Sequence, residues 1–509
     1  MTRSIPALST HLSRALSAGA LFFALAFVPT SEADGPAAVV APVASLDALL
    51  QPLTQDRLFR DATVGLQVVD VETGQEVFAY NADLGLMPAS TMKLLTSAAA
   101  LHTLGPSYTF STTLLTDGQL QPDGVLDGNL YVRGTGDPTF VVEKLWKLLY
   151  DLKLEGVKEI HGDVIFDRSF MDDGYAIPGW TKDEDVEDGP AYFPTLGALS
   201  INFNTAAVVV GPGEAVGQPA RAQLETAAPG IIEIESKLVT SSKGSRRNIR
   251  LDREVDGAKM TVKLSGTVPL GSDVQRFYRA IPDPTAHYTA AFAAMVKQHG
   301  FKVTGKYIDG KTPPAAHQLV ELRSPALSVI LMDTNKHSNN FMAEQVLKTL
   351  GAEAKGLPGT TANGLEVVAD YLKSLGVPSE EFQLINGSGL SRDVKIRPSH
   401  LDAVLVDMAH NHRIGAEFQS SLAIGGRDGT LWARFREEDE IDRVRGKTGT
   451  LNGVHCLAGY VEAADGRMYA FAFLVNDLPY SISRARRVHD QFVEIMFGVD
   501  SAAVAEGQP

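Results

Sequence analysis

Met87-Pro88-Ala89-Ser90-Thr91-Met92-Lys93-Leu94-Leu95-Thr96-Ser97-Ala98-Ala99-Ala100-Leu101 is the stretch on which the fold of this chain turns. A proline and a serine stand where a helix would begin, and almost every later residue is apolar or small. This predicts a helix that starts at Ser90 and is buried on most sides. A lysine in the first turn of such a helix is out of place unless something buried uses it. Ser90 and Lys93 share a helical face, because residues i and i+3 do. They are the only Ser-x-x-Lys pair in the chain.

Upstream, Val64 to Val71 alternates apolar and polar residues, a turn follows at Thr73-Gly74, and Glu76 to Tyr80 reads as the second arm of a hairpin. Downstream stand two further short motifs. Ser338-Asn339-Asn340 lies in a helical region, with Ser338 248 positions beyond Ser90. Lys447-Thr448-Gly449-Thr450 occurs once and precedes an apolar strand pattern. A second Ser-x-Asn, Ser200-Ile201-Asn202, sits in a strand-like context and is read as structural.

These residue types make one chemistry. A serine hydroxyl is a poor nucleophile until a base takes its proton. Lys93 is the candidate base, and it must be substantially neutral to act. Burial and the nearby Lys447 ammonium are both expected to lower its pKa. The helix start at Ser90 points backbone N–H groups toward a developing oxyanion. Ser338 can relay a proton to a leaving nitrogen. Asn340 can hold Lys93 or a substrate carbonyl. Side chains alternate along a strand, so Thr448 and Thr450 share a face. With Lys447 nearby they suit a carboxylate. Nothing in this scheme calls for a metal or another cofactor.

The gap between Ser90 and Ser338 is too long for one connection. It carries its own strand patterns (Leu130 to Arg133, Gly162 to Phe166, Ala258 to Leu264) and a helix near Thr289 to His299. It is therefore one or two inserted domains that lack a second catalytic constellation. Lys182 to Gly189 and Ser241 to Arg247 read as exposed loops. Helical periodicity returns over Pro325 to Met332, Asn339 to Leu350 and Leu365 to Leu375. A last hairpin follows, with Val454 to Glu462 and Met468 to Val475 joined by a turn at Asp465-Gly466. The catalytic domain is thus split around the insertion, and its strands can form one antiparallel sheet flanked by helices.

The N-terminus reads as a secretory signal. Arg3 and Arg14 precede an apolar run from Ala15 to Val28, and Ser31 and Ala33 fit cleavage after Ala33. The run is short for a membrane span, and no integral span is expected in the mature chain. Residues Gly35 to Ala44 form an Ala/Pro/Val-rich lead-in. The single cysteine, Cys456, excludes an intramolecular disulfide and is read as a small buried strand residue. A net charge of −15 argues against nucleic acid and anionic membranes as partners.

Taken together, these residues resemble the low-molecular-mass class C penicillin-binding proteins, the S13 peptidase family of D-alanyl-D-alanine carboxypeptidases and endopeptidases. Further matching segments are Gly134 to Pro138, Asn386 to Arg392, Gly426 to Leu431 and Gly446 to Val454. The resemblance implies an α+β, transpeptidase/β-lactamase-like domain, an antiparallel sheet flanked by helices, interrupted by two nested and mostly β inserted domains. The expected divisions are a signal peptide at 1–33 and a catalytic domain at 45–112 and 323–500. A first insert would span 113–169 and 273–322, and a second 170–272.

By the same resemblance Ser90 would be acylated and Lys93 would be the general base. Ser338, Asn340 and Lys447 would relay protons and bind. Backbone N–H groups of Ser90 and Thr450 would form the oxyanion hole. Thr448, Gly449 and Thr450 would hold the terminal carboxylate, and Asp167 and Arg392 would approach the diamino acid of a peptidoglycan stem. The chain would be exported to the periplasm or cell envelope, act on stem peptides and be acylated by β-lactams. It departs from the family at Asn386 and Asn339, where aspartate is usual. A β-lactamase or esterase shares the acylation step, and a catalytically silent penicillin-binding scaffold is the alternative from another class.

Overall fold

The computed structural model describes residues 45–180, 189–437, 440–464 and 466–498. The signal segment, the lead-in and most of the loop from Lys182 lie outside the described residues. One six-stranded sheet organises the catalytic part. Its order is Ala423–Ile424, Val444–Leu451, Val454–Glu462, Met468–Asn476, Thr63–Asp70 and Glu76–Tyr80, and every pairing is antiparallel. Both expected hairpins are present. The N-terminal hairpin adds to the C-terminal one through Thr63–Asp70 against Met468–Asn476, so the two halves of the split domain close on each other.

Both faces of the central strands are covered, and the alternation of side chains decides which core each enters. Along Val454–Glu462, Val454, Cys456, Ala458 and Tyr460 join the core that holds Met92, Leu95, Ala99, Ile330 and Leu347. Leu457 and Val461 join a second core with Phe471, Phe473, Val488 and Phe492. The first core is built by helices Met92–Leu104, Leu327–Lys336, Asn340–Lys355, Thr361–Ser374 and Pro398–His410. The second lies under helix Ser483–Phe497. Cys456 is fully buried, and burial pushes its thiol up to about 12, which leaves it unreactive.

The helix expected from Ser90 to Leu101 starts later and runs further. Ala89–Thr91 is a 3₁₀ turn, and the α-helix runs Met92–Leu104. Residues Met92 to Leu101 are all buried, which is why the sequence there is apolar all round. The helix near Thr289 starts earlier, at Pro284, because Asp283 caps it through the Ala286 N–H at 2.9 Å. Asn339, where the family has aspartate, caps Asn340–Lys355 by accepting from the Met342 N–H at 3.1 Å, a role either residue fills.

The insertion contains two packed units. The first is a five-stranded sheet ordered Tyr307–Asp309, Val164–Asp167, Leu130–Gly134, Ser111–Thr116 and His317–Arg323. Its strands Leu130–Gly134 and Val164–Asp167 are parallel, with helix Val142–Leu154 between them in the chain. That helix and Pro284–His299 share its core. The second holds two three-stranded sheets around a separate core of Val208, Leu238, Val262 and Ile281. Strand Gln275–Ala280 pairs with Thr205–Gly211, which carries this unit past Ser272 to Ala280.

Residues between Asp167 and Thr205 do something else. They pack on catalytic helix Asn340–Lys355 through Ile177, Trp180 and Leu196 against Phe341. Lys348 Nζ donates to Asp172 Oδ1 at 2.5 Å and to Gly174 O at 2.6 Å. Gln345 Nε2 donates to Gly197 O at 2.9 Å. Asn386 Nδ2 donates to Pro178 O at 2.8 Å, a bond that an aspartate could not supply.

Candidate active site

The site forms where the 3₁₀ turn, helix Asn340–Lys355, strand Val444–Leu451 and loop Asn386–Leu390 meet. Ala89 takes a left-handed φ of 46°, and Ser338 one of 56°. Non-glycine residues hold such angles only when their surroundings impose them. Ser338 lies in the link between helices Leu327–Lys336 and Asn340–Lys355, not inside a helix.

Lys93 is fully buried. Its Nζ lies 2.9 Å from Ser90 Oγ, 2.7 Å from Asn340 Oδ1 and 2.8 Å from Ser388 O. Asn340 is oriented by its own Nδ2, which donates to Tyr192 O at 2.7 Å. Burial pushes the Lys93 ammonium down to about 7, against the opposing pull of the Glu344 carboxylate. Burial, one of the two expected causes, leads, and the mutual repulsion of the two buried lysines is the other. Lys447, itself fully buried, is pushed well below its ordinary value by burial first and by Lys93 second. Its Nζ donates to Ser338 Oγ and to Thr448 O, both at 2.8 Å.

The bonding around Lys93 fixes what a neutral amine does there. Asn340 Oδ1 and Ser388 O can only accept. They take the two amine protons, and the lone pair is left facing Ser90 Oγ, whose hydroxyl then donates to it.

Strand Val444–Leu451 runs hard against the nucleophile turn. A Cβ on Gly449 would lie 2.6 Å from Pro88 O and 3.1 Å from Ser90 N, so only glycine lets the strand approach. This sets the Gly449–Thr450 peptide beside the Ser90 amide. Thr448 Oγ1 donates to Thr430 Oγ1 at 2.9 Å, and Thr450 Oγ1 lies 3.2 Å from His455 Nδ1. Arg392 Nη1 donates to Asn452 O at 3.1 Å, which holds it at the turn ending that strand.

Asp167 stands at the end of strand Val164–Asp167. Oδ1 accepts from the Ser169 N–H and hydroxyl, and Oδ2 accepts from the Thr312 N–H at 2.9 Å. Burial raises its pKa, but those bonds outweigh it and hold the carboxyl below the ordinary value. Its described bonds close a turn of the first insert and involve no catalytic residue. The second Ser-x-Asn is structural: Ser200 Oγ donates to Gly197 O, and Asn202 Oδ1 accepts from the Val142 N–H.

Three contributors had no place in the motif reading. Glu344, fully buried, accepts from the N–H groups of Gly387 at 3.1 Å and Ser388 at 2.7 Å. It stands at i+4 from Asn340, and a glutamate inside an apolar helical pattern was the available signal. Ser388 and Tyr192 act through backbone carbonyls, which side-chain chemistry cannot reveal.

The D-Ala-D-Ala carboxypeptidase 3 (S13) family matches residues 44–497. The chain belongs to that family. It is therefore a peptidase of a serine hydrolase family. A D-alanyl-D-alanine carboxypeptidase of Actinomadura sp. (strain R39) is 32% identical over 445 residues, 85% of this chain and 80% of that one. The D-alanyl-D-alanine carboxypeptidase DacB of Haemophilus influenzae is 27% identical over 83% of this chain and 87% of its own. A crystal structure of penicillin-binding protein 4 (dacB) from Haemophilus influenzae matches the fold with a TM-score of 0.75, at 24% identity over 88% of this S13 chain and 99% of that one. A second crystal structure of the same protein, complexed with a β-lactam, matches at 26% identity with a TM-score of 0.69, over 87% and 97%. Among the described residues no helix is long and apolar enough to cross a membrane.

Proposed function

We propose that this chain is an exported serine DD-peptidase. It removes the terminal D-Ala of peptidoglycan stems through an acyl-enzyme on Ser90, and penicillins acylate the same oxygen. The observation that carries this is the Lys93 amine, with two acceptors taking its protons and its lone pair on Ser90 Oγ. Ser90 Oγ attacks the penultimate D-Ala carbonyl as its proton passes to Lys93. The N–H groups of Ser90 and Thr450 receive the oxyanion. Collapse breaks the peptide bond. Ser338 passes its hydroxyl proton to the leaving amine and takes one from Lys447, which is resupplied by the proton held on Lys93. Lys93 is then again neutral to take the proton of the attacking water and return it to Ser90 Oγ. Water then attacks the ester and frees Ser90. In a β-lactam the leaving nitrogen stays tethered, which slows the water step. Names of the relatives support the substrate. Incubation with labelled penicillin and with a D-Ala-D-Ala peptide tests the whole, through adduct lifetime and D-Ala release. A long-lived adduct with D-Ala release is expected; rapid penicillin turnover without D-Ala release would replace this function with a β-lactamase.

The strand Val444–Leu451 would read a free carboxylate through the Thr450 hydroxyl and the Lys447 amine, with Thr448 joining once its hydroxyl turns from Thr430. Hydrogen bonds to a charged group are worth about 1.5–3 kcal/mol. Converting the peptide's C-terminal acid to its amide should therefore cost roughly 10- to 100-fold in kcat/KM. Equal turnover of the two would remove the carboxylate role of this strand. A D-Ala-diamino acid cross-link remains a substrate where a D-centre carboxylate adjoins the scissile bond. In that case Arg392 would face the diamino acid.

Acylation should rise with pH through about 7, as buried Lys93 loses its proton. The Glu344 charge favours the ammonium form and so holds that limb up. Glu344→Gln removes the charge and keeps an acceptor oxygen for one of the two N–H groups of Gly387 and Ser388, its NH2 facing the other. The acid limb should move to lower pH. Penicillin acylation rates measured across neutral pH read this directly, and a limb that stays put or moves upward would exclude the coupling.

A further inference from the structure

Thr450 and His455 face each other across the hairpin of Val444–Leu451 and Val454–Glu462. The threonine is exposed and the histidine buried. Behind His455 lies His489 of helix Ser483–Phe497, wholly buried, with the rings stacked at 5.1 Å and 14°. Phe473 packs against His489 at 4.2 Å. Neither His489 nitrogen has a hydrogen-bond partner among the described residues, and neither does His455 Nε2. Of the four ring nitrogens only His455 Nδ1 is engaged, and its partner is the Thr450 hydroxyl.

We propose that His455 is a positioning residue for carboxylate recognition: its Nδ1–H donates to Thr450 Oγ1 and so frees the single Thr450 proton to point at the substrate's terminal carboxylate. This deepens the proposed role of Thr450 and rests on it. In the opposite tautomer Nδ1 would take that proton, and the hydroxyl would turn a lone pair toward the carboxylate. One feature selects the Nδ1–H form. The other form would bury an N–H on Nε2 with no acceptor, and buried orphan N–H groups are rarer than under-used acceptors. Arg434 from the 432–437 loop and Arg486 from the helix are the cations that act on His455. Asp490 is paired to Arg434 at 2.6 Å. Burial, with those two arginines, pushes His455 down to about 4, so it stays neutral at working pH. His489, pushed down by burial and then by His455 and Arg434, stays neutral beside it.

The test compares a D-Ala-D-Ala peptide acid with its amide in the full-length enzyme. The unsubstituted enzyme should prefer the acid; equal turnover there would remove the carboxylate role of Thr450, and this inference with it. Given that preference, His455→Phe should lose about tenfold of it, mostly through KM for the acid. His455→Asn, whose amide nitrogen sits near the place of Nδ1, should restore it. Acid and amide turnover falling in parallel, or an unchanged preference, would show His455 to be packing alone. Nitrogen-15 NMR of histidine-labelled, unsubstituted protein gives a second readout that needs no variant to fold. It should show His455 protonated on Nδ1 and bare on Nε2, and the reverse would overturn the proposal.

Discussion

Ser90→Ala should leave no covalent penicillin adduct, and D-Ala release should fall on the order of 10⁶-fold, the scale of losing a serine nucleophile that works with its base. The site holds another buried-lysine hydroxyl pair, Ser338 with Lys447 at 2.8 Å. Only Ser90 combines an adjacent lysine, the start of a helix and a strand pressed against its amide nitrogen. The substitution removes one hydroxyl from a half-buried turn. Lys93 keeps its bonds to Asn340 and Ser388, so the thermal midpoint should hardly move. Intact-mass measurement after incubation with penicillin decides the matter. An adduct that persists in a folded Ser90→Ala protein would transfer the nucleophile to Ser338.

Much of this architecture was legible because burial leaves periodic marks. Met92 to Leu101 reads as a buried helix, and the two hairpins of the main sheet were found nearly at their observed bounds. What sequence could not give was long-range pairing. That Thr63–Asp70 joins Met468–Asn476 depends on contacts across the whole insertion. That Gln275–Ala280 pairs with Thr205–Gly211 is equally hidden, because a strand of alternating exposure carries no strong apolar signal. The turn-closing bonds of Asp167 at its strand end leave no mark in residue type either, since any aspartate reads alike in sequence.

The same limit applies within the site. Motif spacing brought out Ser90, Lys93, Ser338, Asn340 and Lys447, since each carries a reactive or polar side chain in a distinctive setting. The backbone carbonyls of Ser388 and Tyr192 carry no residue-type signature. His455 stands in an apolar strand and gives no sign of its partner His489, 34 positions away on a helix.

Lys93→Arg should slow penicillin acylation by at least about 10²-fold, the low end for loss of a general base. Arginine keeps the charge but does not deprotonate at working pH, so no lone pair can face Ser90 Oγ. A longer, planar group in a fully buried place also strains the packing, and a thermal melt must accompany the rate. Lys93→Met separates the two effects. It fills a similar volume without charge, removes the buried amine, and leaves no base. Asn340 Oδ1 and Ser388 O lose a donor in that variant, which costs stability. Both variants should acylate slowly for the same reason, the missing amine lone pair. A near-normal rate in folded Lys93→Met protein would move the proton to Lys447, whose bond to Ser338 makes it the other buried amine within the site.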